Sequence, residues 1–240
     1  MSGGRITEPA WPDVVTWFET IDAIIRGLGH SLNNRALALS ATVESIDPRR
    51  PLGDALATGL MRETERLSEQ LRQLRALPFA ATADPMPLLI QDVMASAIQL
   101  HRTHASLGQV PVYLDGSADA PPVLAPESSL VHATLVLLTA LKGYAAPNGV
   151  VRVRYSGTAE QLVVRFEAQR DPDDVHAGRG GAALVQPTAL GAALLRVAGL
   201  ETEQEIGGEV ARVRWVLPSL REMRRRGRGG GGGGGGGVGG

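Results

Sequence analysis

Residues 14–46 read VVTWFETIDAIIRGLGHSLNNRALALSATVESI, and this stretch decides the fold. Val14, Phe18, Ile21, Ile25, Leu28 and Leu32 recur at alternating steps of three and four, and Leu39, Val43 and Ile46 continue the stripe. That is the period of a helix packed in a bundle or coiled coil, not of a strand. Pro9 and Pro12 suit the opening turn of such a helix, where a missing amide proton costs little. The spacing therefore predicts one helix from about Pro9 to Ile46, broken by the run DPRRP at 47–51.

A second helix is predicted from Leu52 to Leu77, with its stripe on Leu56, Leu60, Leu67, Leu71 and Leu74. Two long helices joined by a short turn make an antiparallel hairpin. A lone hairpin leaves both stripes partly uncovered, so pairing with a second copy into a dimeric four-helix bundle is expected. Pro78 ends the hairpin and a linker runs to Pro87. The rhythm then changes. Helices are predicted at Leu88–Ala105, Ser128–Tyr144 and Thr188–Ala198, and strands at Val110–Asp115, Val150–Tyr155, Gln161–Ala168 and Ala211–Leu217. This order implies one sheet covered by helices, and an α+β protein overall. The boundaries fall at 1–78 for the hairpin, 79–220 for the α/β domain and 221–240 for a basic, glycine-rich tail, which is expected to be disordered.

Composition narrows the function. Hydrophobic residues make up 43% and charged residues 20%, ordinary for a globular protein of this length. A net charge of −1 gives no overall attraction for nucleic acid or an anionic membrane. Cysteine is absent, which excludes disulfides, thiolate metal sites and cysteine nucleophiles. No apolar run reaches membrane-spanning length and the N-terminal residues lack the apolar core of a secretion signal, so a cytoplasmic location is expected.

The strongest chemical signal lies inside the first helix, at Gly29-His30-Ser31-Leu32-Asn33-Asn34-Arg35-Ala36-Leu37. At about 100° per residue, His30 falls opposite Leu28 and Leu32. Asn34, one turn further on, lies within about 40° of it. The imidazole is thus expected to face solvent beside an amide. Neutral imidazole is nucleophilic, and a phosphorus centre requires an in-line approach from outside the bundle. Leu37 and Ala41 fall within about 20° of His30 and give a small apolar strip beneath it. The sequence leaves open whether Leu37 meets a partner or packs on the second helix.

These residues resemble the dimerisation and phosphoacceptor hairpin of bacterial sensor histidine kinases, whose motif has the form H-[E/D]-x-x-N. His30 and Asn34 match it, and Leu32 and Leu37 match its apolar positions. The order of elements over about residues 15–218 is also similar to such a kinase, ending in Leu-Pro at Leu217-Pro218. The resemblance implies a histidine-kinase-type ATPase domain after the hairpin, with His30 and Asn34 as catalytic residues. It also implies receiver domains of response regulators as partners, contacted through Ser31, Leu37 and Ala41. The departures are specific. Ser31 stands where an acidic residue normally follows the phosphoacceptor. Ala140 stands where an asparagine should hold Mg²⁺, and no Asp-x-Gly turn follows Ala168. Only Ala189-Leu190-Gly191 and the run Gly178-Arg179-Gly180-Gly181 keep a trace of the glycine motif. The ATPase domain is therefore expected to be degenerate, needing no nucleotide or metal cofactor. That leaves a phosphorelay histidine phosphotransferase, with a silent receiver-binding scaffold and an atypical ATP-dependent kinase as alternatives.

Other polar residues invite simpler readings. His101 and His104, three apart, are expected to be solvated, since no third metal ligand accompanies them. Asp171, Asp173 and Asp174 read as a solvated loop.

Overall fold

The computed structural model describes residues 11–47, 49, 51, 53–78, 84–146, 148–170, 201–207 and 210–229. Helix α1 spans Trp11–Glu44 and α2 spans Asp54–Ala76. Both agree with the periodicity to within two residues at each end. Asp54 in the first turn of α2 and Arg75 in its last complement the helix dipole. The two helices are joined across the hairpin by Gln70 Nε2 donating to Ser31 Oγ (2.6 Å) and by Arg35 Nη1 to Glu63 Oε2 (2.8 Å). Hydrogen bonds from Arg66 and then Arg35 hold the Glu63 carboxyl below the usual carboxylate range.

The α/β domain begins with β1 (Met86–Leu88), α3 (Ile90–His101), β2 (Val112–Gly116), β3 (Val123–Ala125) and α4 (Glu127–Ala145). It continues with β4 (Val150–Gly157), β5 (Gln161–Gln169), β6 (Glu201–Gly207), β7 (Val210–Pro218) and α5 (Leu220–Gly229). Five strands form one sheet in the order β2-β4-β5-β7-β6, with β2 parallel to β4 and the other pairs antiparallel. Strands β1 and β3 make a separate ribbon. Alternation in the long strands puts Val151, Val153, Leu162, Val164, Phe166, Val213, Trp215 and Leu217 on the inner face, all buried. Phe166 and Trp215 meet there, ring centroids 4.6 Å apart.

Helix α4 is buried on nearly every side, including polar Ser129, His132, Thr134 and Lys142. An all-round apolar helix belongs in the middle of a structure. Here the sheet covers one side of α4, with α3 and α1 packed against it elsewhere. The molecule thus has three layers: hairpin, α3 with α4, and sheet.

Several expectations need correction. The apolar stripe of α1 divides between two environments: Leu28 is fully buried, but so are Ile24 and nearly Thr20, whereas Phe18, Ile25 and Val43 stand exposed. The α/β domain takes the Thr20–Ile24–Leu28 edge of the helix, which periodicity alone could not single out. Strands β1, β3 and β6 were not anticipated, the first two because three residues carry no readable alternation. The tail expected to be disordered from 221 instead forms α5 as far as Gly229. Ser219 caps it, its Oγ accepting from the Glu222 amide (3.2 Å) and donating to the Ala159 carbonyl (2.6 Å). The helix thus belongs to the α/β domain. The Thr188–Ala198 helix, the aspartates at 171, 173 and 174, and the glycines at 178, 180, 181 and 191 lie outside the described residues.

Candidate functional site

Helix α1 presents His30 and Asn34 on its open side, both exposed. Asn34 Nδ2 lies 3.1 Å from His30 Nε2. In the tautomer with the proton on Nδ1, the Asn34 amide donates to the Nε2 lone pair. The spacing of one helical turn makes this contact possible without bending the backbone. Leu37 is 61% exposed and Ala41 is also exposed, so the apolar strip beneath His30 is open and not absorbed by α2. Ser31 is placed differently. It is half-buried, and its hydroxyl is taken up by Gln70, so it ties the hairpin together and does not share the open face.

The same helix is clamped to the α/β domain between one and nearly four turns before His30. Trp17 Nε1 donates to His132 Nδ1 of α4 at 3.0 Å, and the Ala105 amide donates to the Ala23 carbonyl at 3.3 Å. Gly27 lies against the Thr103 backbone so closely that a Cβ there would overlap the Thr103 carbonyl. Gly29, two residues on, has open space at the same position. His30 therefore projects just beyond the edge of a fixed interface, on a helix held from two sides.

His101 and His104 are buried, contrary to the expectation of solvated side chains. Their rings stack with centroids 5.0 Å apart. His101 Nε2 meets Thr139 Oγ1 at 2.9 Å, and His104 Nδ1 accepts from the Leu107 amide at 3.2 Å. The turn after α3 packs on α1, its Ala105 amide donating to the Ala23 carbonyl, and both rings lie buried beside it. Burial is the leading cause that lowers the pKa of each, and nearby Lys142 adds to it. The Lys142 ammonium donates to the Leu107 carbonyl (3.1 Å), and burial pulls its pKa down to about 8. Among the described residues no three His, Asp or Glu side chains gather as a metal site.

Where the resemblance would place a nucleotide, Ala140 is half-buried in α4 and offers no metal ligand. Arg170, at the end of β5, lies buried over the Tyr144 ring, its guanidinium 4.1 Å from the centroid, and its Nε donates to the Tyr144 carbonyl (3.2 Å). A cation thus occupies the end of the strand after which an adenine-reading turn would begin. The signal was visible as Gln169-Arg170, but nothing in the sequence showed the arginine folding back onto α4.

No family model matches this chain, and no curated protein does. Solved structures that resemble it include the histidine kinase AdeS of Acinetobacter baumannii. It is 14% identical, with 80% of this chain and 98% of that one aligned at a TM-score of 0.44. The histidine kinase ThkA, solved in complex with the response regulator protein TrrA, is 9% identical, with 82% and 61% aligned at 0.48. A bacterial phosphotransferase is 13% identical, with 82% and 96% aligned at 0.41. What this chain does is decided by its own residues. Among the described residues, no helix is long and apolar enough to cross a membrane.

The His132 clamp has a pH consequence. Burial lowers its pKa from the ordinary 6.5 to about 4, partly offset by the Leu77 carbonyl. Between these values the unfolded chain binds the proton and the native chain does not, so stability is full above about pH 6.5 and falls as pH drops toward 4. His101 and His104 shift in the same direction. The loss attributable to His132 is about 3 kcal/mol. Denaturant titrations at successive pH values should show this slope in the native chain and a shallower one in His132→Gln. Equal slopes would mean that His132 is not held neutral at the interface.

Proposed function

We propose that this chain is a histidine phosphotransferase of two-component signalling, in which His30 accepts a phosphoryl group from a receiver aspartate and passes it to another. The observation that carries this reading is the exposed His30 Nε2 with its Asn34 amide, on the outer side of a rigid helix and above the open Leu37–Ala41 strip. In the transfer, the Nε2 lone pair attacks the phosphorus of an aspartyl phosphate. The phosphorus–nitrogen bond forms as the bond to the aspartate oxygen breaks, and the carboxylate leaves with the electron pair. In the Nδ1–H tautomer Nε2 attacks without a general base, once the Asn34 amide releases its lone pair. The strip beneath His30 suits the apolar face of a receiver helix.

An ATP-dependent kinase is disfavoured by Ala140 and by the inward fold of Arg170, because phosphoryl transfer from ATP depends on metal and phosphate positioning. A silent scaffold that binds a receiver without chemistry is the second reading, favoured by the serine that follows His30 in place of an acid. The deciding experiment incubates the full chain with labelled phospho-receiver domains. Label on His30 supports the phosphotransferase, whereas receiver binding without label on the chain establishes the scaffold. Label acquired from ATP alone would overturn both.

The proposal includes a homodimer. Phe18, Ile25 and Val43, seven and eighteen residues apart, fall within about 20° of one another on one side of α1, at 67%, 46% and 56% exposure, and Leu71 and Leu74 are exposed on α2. Each such side chain contributes about 1.5–3 kcal/mol when covered. A second copy of the hairpin is the partner with a matching stripe. Wild-type chain should sediment as a dimer at micromolar concentration, and Ile25→Asp should be a folded monomer. Leu28 is unsuitable for this test because it is buried within one chain. A monomeric wild type would overturn the dimer.

A further inference from the structure

The outer face of the sheet, away from the helices, carries a charge pattern that folding does not explain. Strand register sets Arg154 opposite Arg165 and Arg165 opposite Arg214, three arginines in a row on β4, β5 and β7. In the next row Arg152 faces Glu167, which faces Arg212. Like charges directly across a strand pair are destabilising, so the first row costs stability as it stands. The surroundings remove part of that cost. Arg214 pairs with Glu203 (2.6 Å), Arg212 with Glu167 (3.4 Å), and Arg152 donates to Gln169 Oε1 (3.2 Å). Arg154 and Arg165 have neither an ion pair nor a hydrogen bond from their side chains among the described residues. Asp115 stands across from Arg154 on β2 and makes no ion pair with it.

Two free guanidiniums on adjacent strands, about 5 Å apart at the backbone, form a fork for one compact anion of double charge. The flanking residues decide against a longer polyanion. A nucleic-acid strand laid on Arg154 and Arg165 would bring its next phosphates toward Glu167 and Glu203, and the chain as a whole carries a net charge of −1. The pair itself lines a depression of ≈ 360 Å³, with Arg152, Glu167, Arg212 and Arg214 around it; Phe166 and Val213 meet it only from beneath, their side chains being buried on the inner face. It is of the size that small ligands occupy, roughly 300–1,000 Å³.

We propose that Arg154 and Arg165 bind the dianion of a small phosphomonoester on the outer face of the sheet, with the rest of the molecule in the same depression. The site is independent of His30, on the far side of the α/β domain from the hairpin. Its test is calorimetry on the full chain with a nucleoside monophosphate, AMP, alongside inorganic phosphate and adenosine. AMP should bind saturably, inorganic phosphate should compete with it, and adenosine should not bind. Arg154→Gln/Arg165→Gln should weaken AMP at least tenfold. The Arg154→Lys/Arg165→Lys variant, which keeps the charge but loses the fork, should weaken it by an intermediate factor. Ligand-free Arg165→Gln should melt about 1–4 °C higher than wild type, since a like-charge contact is removed. Absence of AMP binding, AMP affinity unchanged in the double glutamine variant, phosphate that fails to compete, or a lowered melting temperature for Arg165→Gln would each overturn the proposal.

Discussion

On the proposed reading, His30→Ala should leave the chain folded but lower phosphotransfer by at least about a thousandfold, because alanine supplies no nucleophile. The side chain is exposed and, among the described residues, its one polar partner is Asn34, so truncation opens no cavity and strands no buried group. Asn34→Ala is a milder change. It removes one hydrogen bond worth about 0.5–1.5 kcal/mol; because that bond fixes the ring but must also break before Nε2 attacks, transfer should stay within about tenfold of the native chain. Leu37→Arg separates docking from chemistry. Being 61% exposed, Leu37 can be replaced without unfolding the bundle, and an apolar receiver face would no longer seat on it. Label transfer measured against receiver binding for the three variants reads these roles apart. Transfer retained by His30→Ala would overturn the assignment of the phosphoacceptor. Normal transfer by Leu37→Arg would mean that the receiver docks elsewhere.

Gly27→Ala and Gly29→Ala, two residues apart on one helix, should move stability in opposite directions. At Gly29 the new methyl points into open space, and replacing a helix-interior glycine stabilises by about 0.5–1 kcal/mol. At Gly27 the methyl would overlap the Thr103 backbone, a neighbour with no flexible end to give way. Overpacking of this kind costs about 1–3 kcal/mol, so the hairpin should lift off the α/β domain and take Trp17 away from His132. The expected results for Gly27→Ala are a melting temperature lower by about 2–10 °C, red-shifted tryptophan emission and faster cleavage in the linker between α2 and β1. A Gly27→Ala chain as stable as Gly29→Ala would show that α1 does not rest on the Thr103 turn.

The two glycines also mark how far sequence reasoning reaches. Both look alike in the string Arg26-Gly27-Leu28-Gly29-His30, and helix propensity treats them equally. Only the approach of a turn some 76 positions away distinguishes them, and local pattern holds no record of it. The same holds for His101 and His104. Their spacing was legible, but their burial is tertiary: His101 meets Thr139 of α4, and the turn that carries His104 packs on α1. Arg170 was legible as a missing turn residue and illegible as the group that stacks on Tyr144. Strand β6 was hidden because its sequence, ETEQEIG, carries almost no apolar alternation; it is defined by pairing with β7.

What the sequence determined by itself is therefore local and periodic. The steps of three and four between Val14 and Ile46 determined a long helix, the break at 47–51 made it a hairpin, and one helical turn placed Asn34 beside His30. Alternation determined β4, β5 and β7 and the inner face that Phe166 and Trp215 share. Tertiary structure decided which edge of each helix is covered. A helix with an apolar stripe can bury any part of it, and burial is settled by the shape and chemistry of what arrives. Here the α/β domain met α1 through α4 at Trp17 and through the turn after α3 at Ala23 and Gly27, leaving Thr20, Ile24 and Leu28 buried, Phe18 and Ile25 outside and His30 open at the edge of the interface.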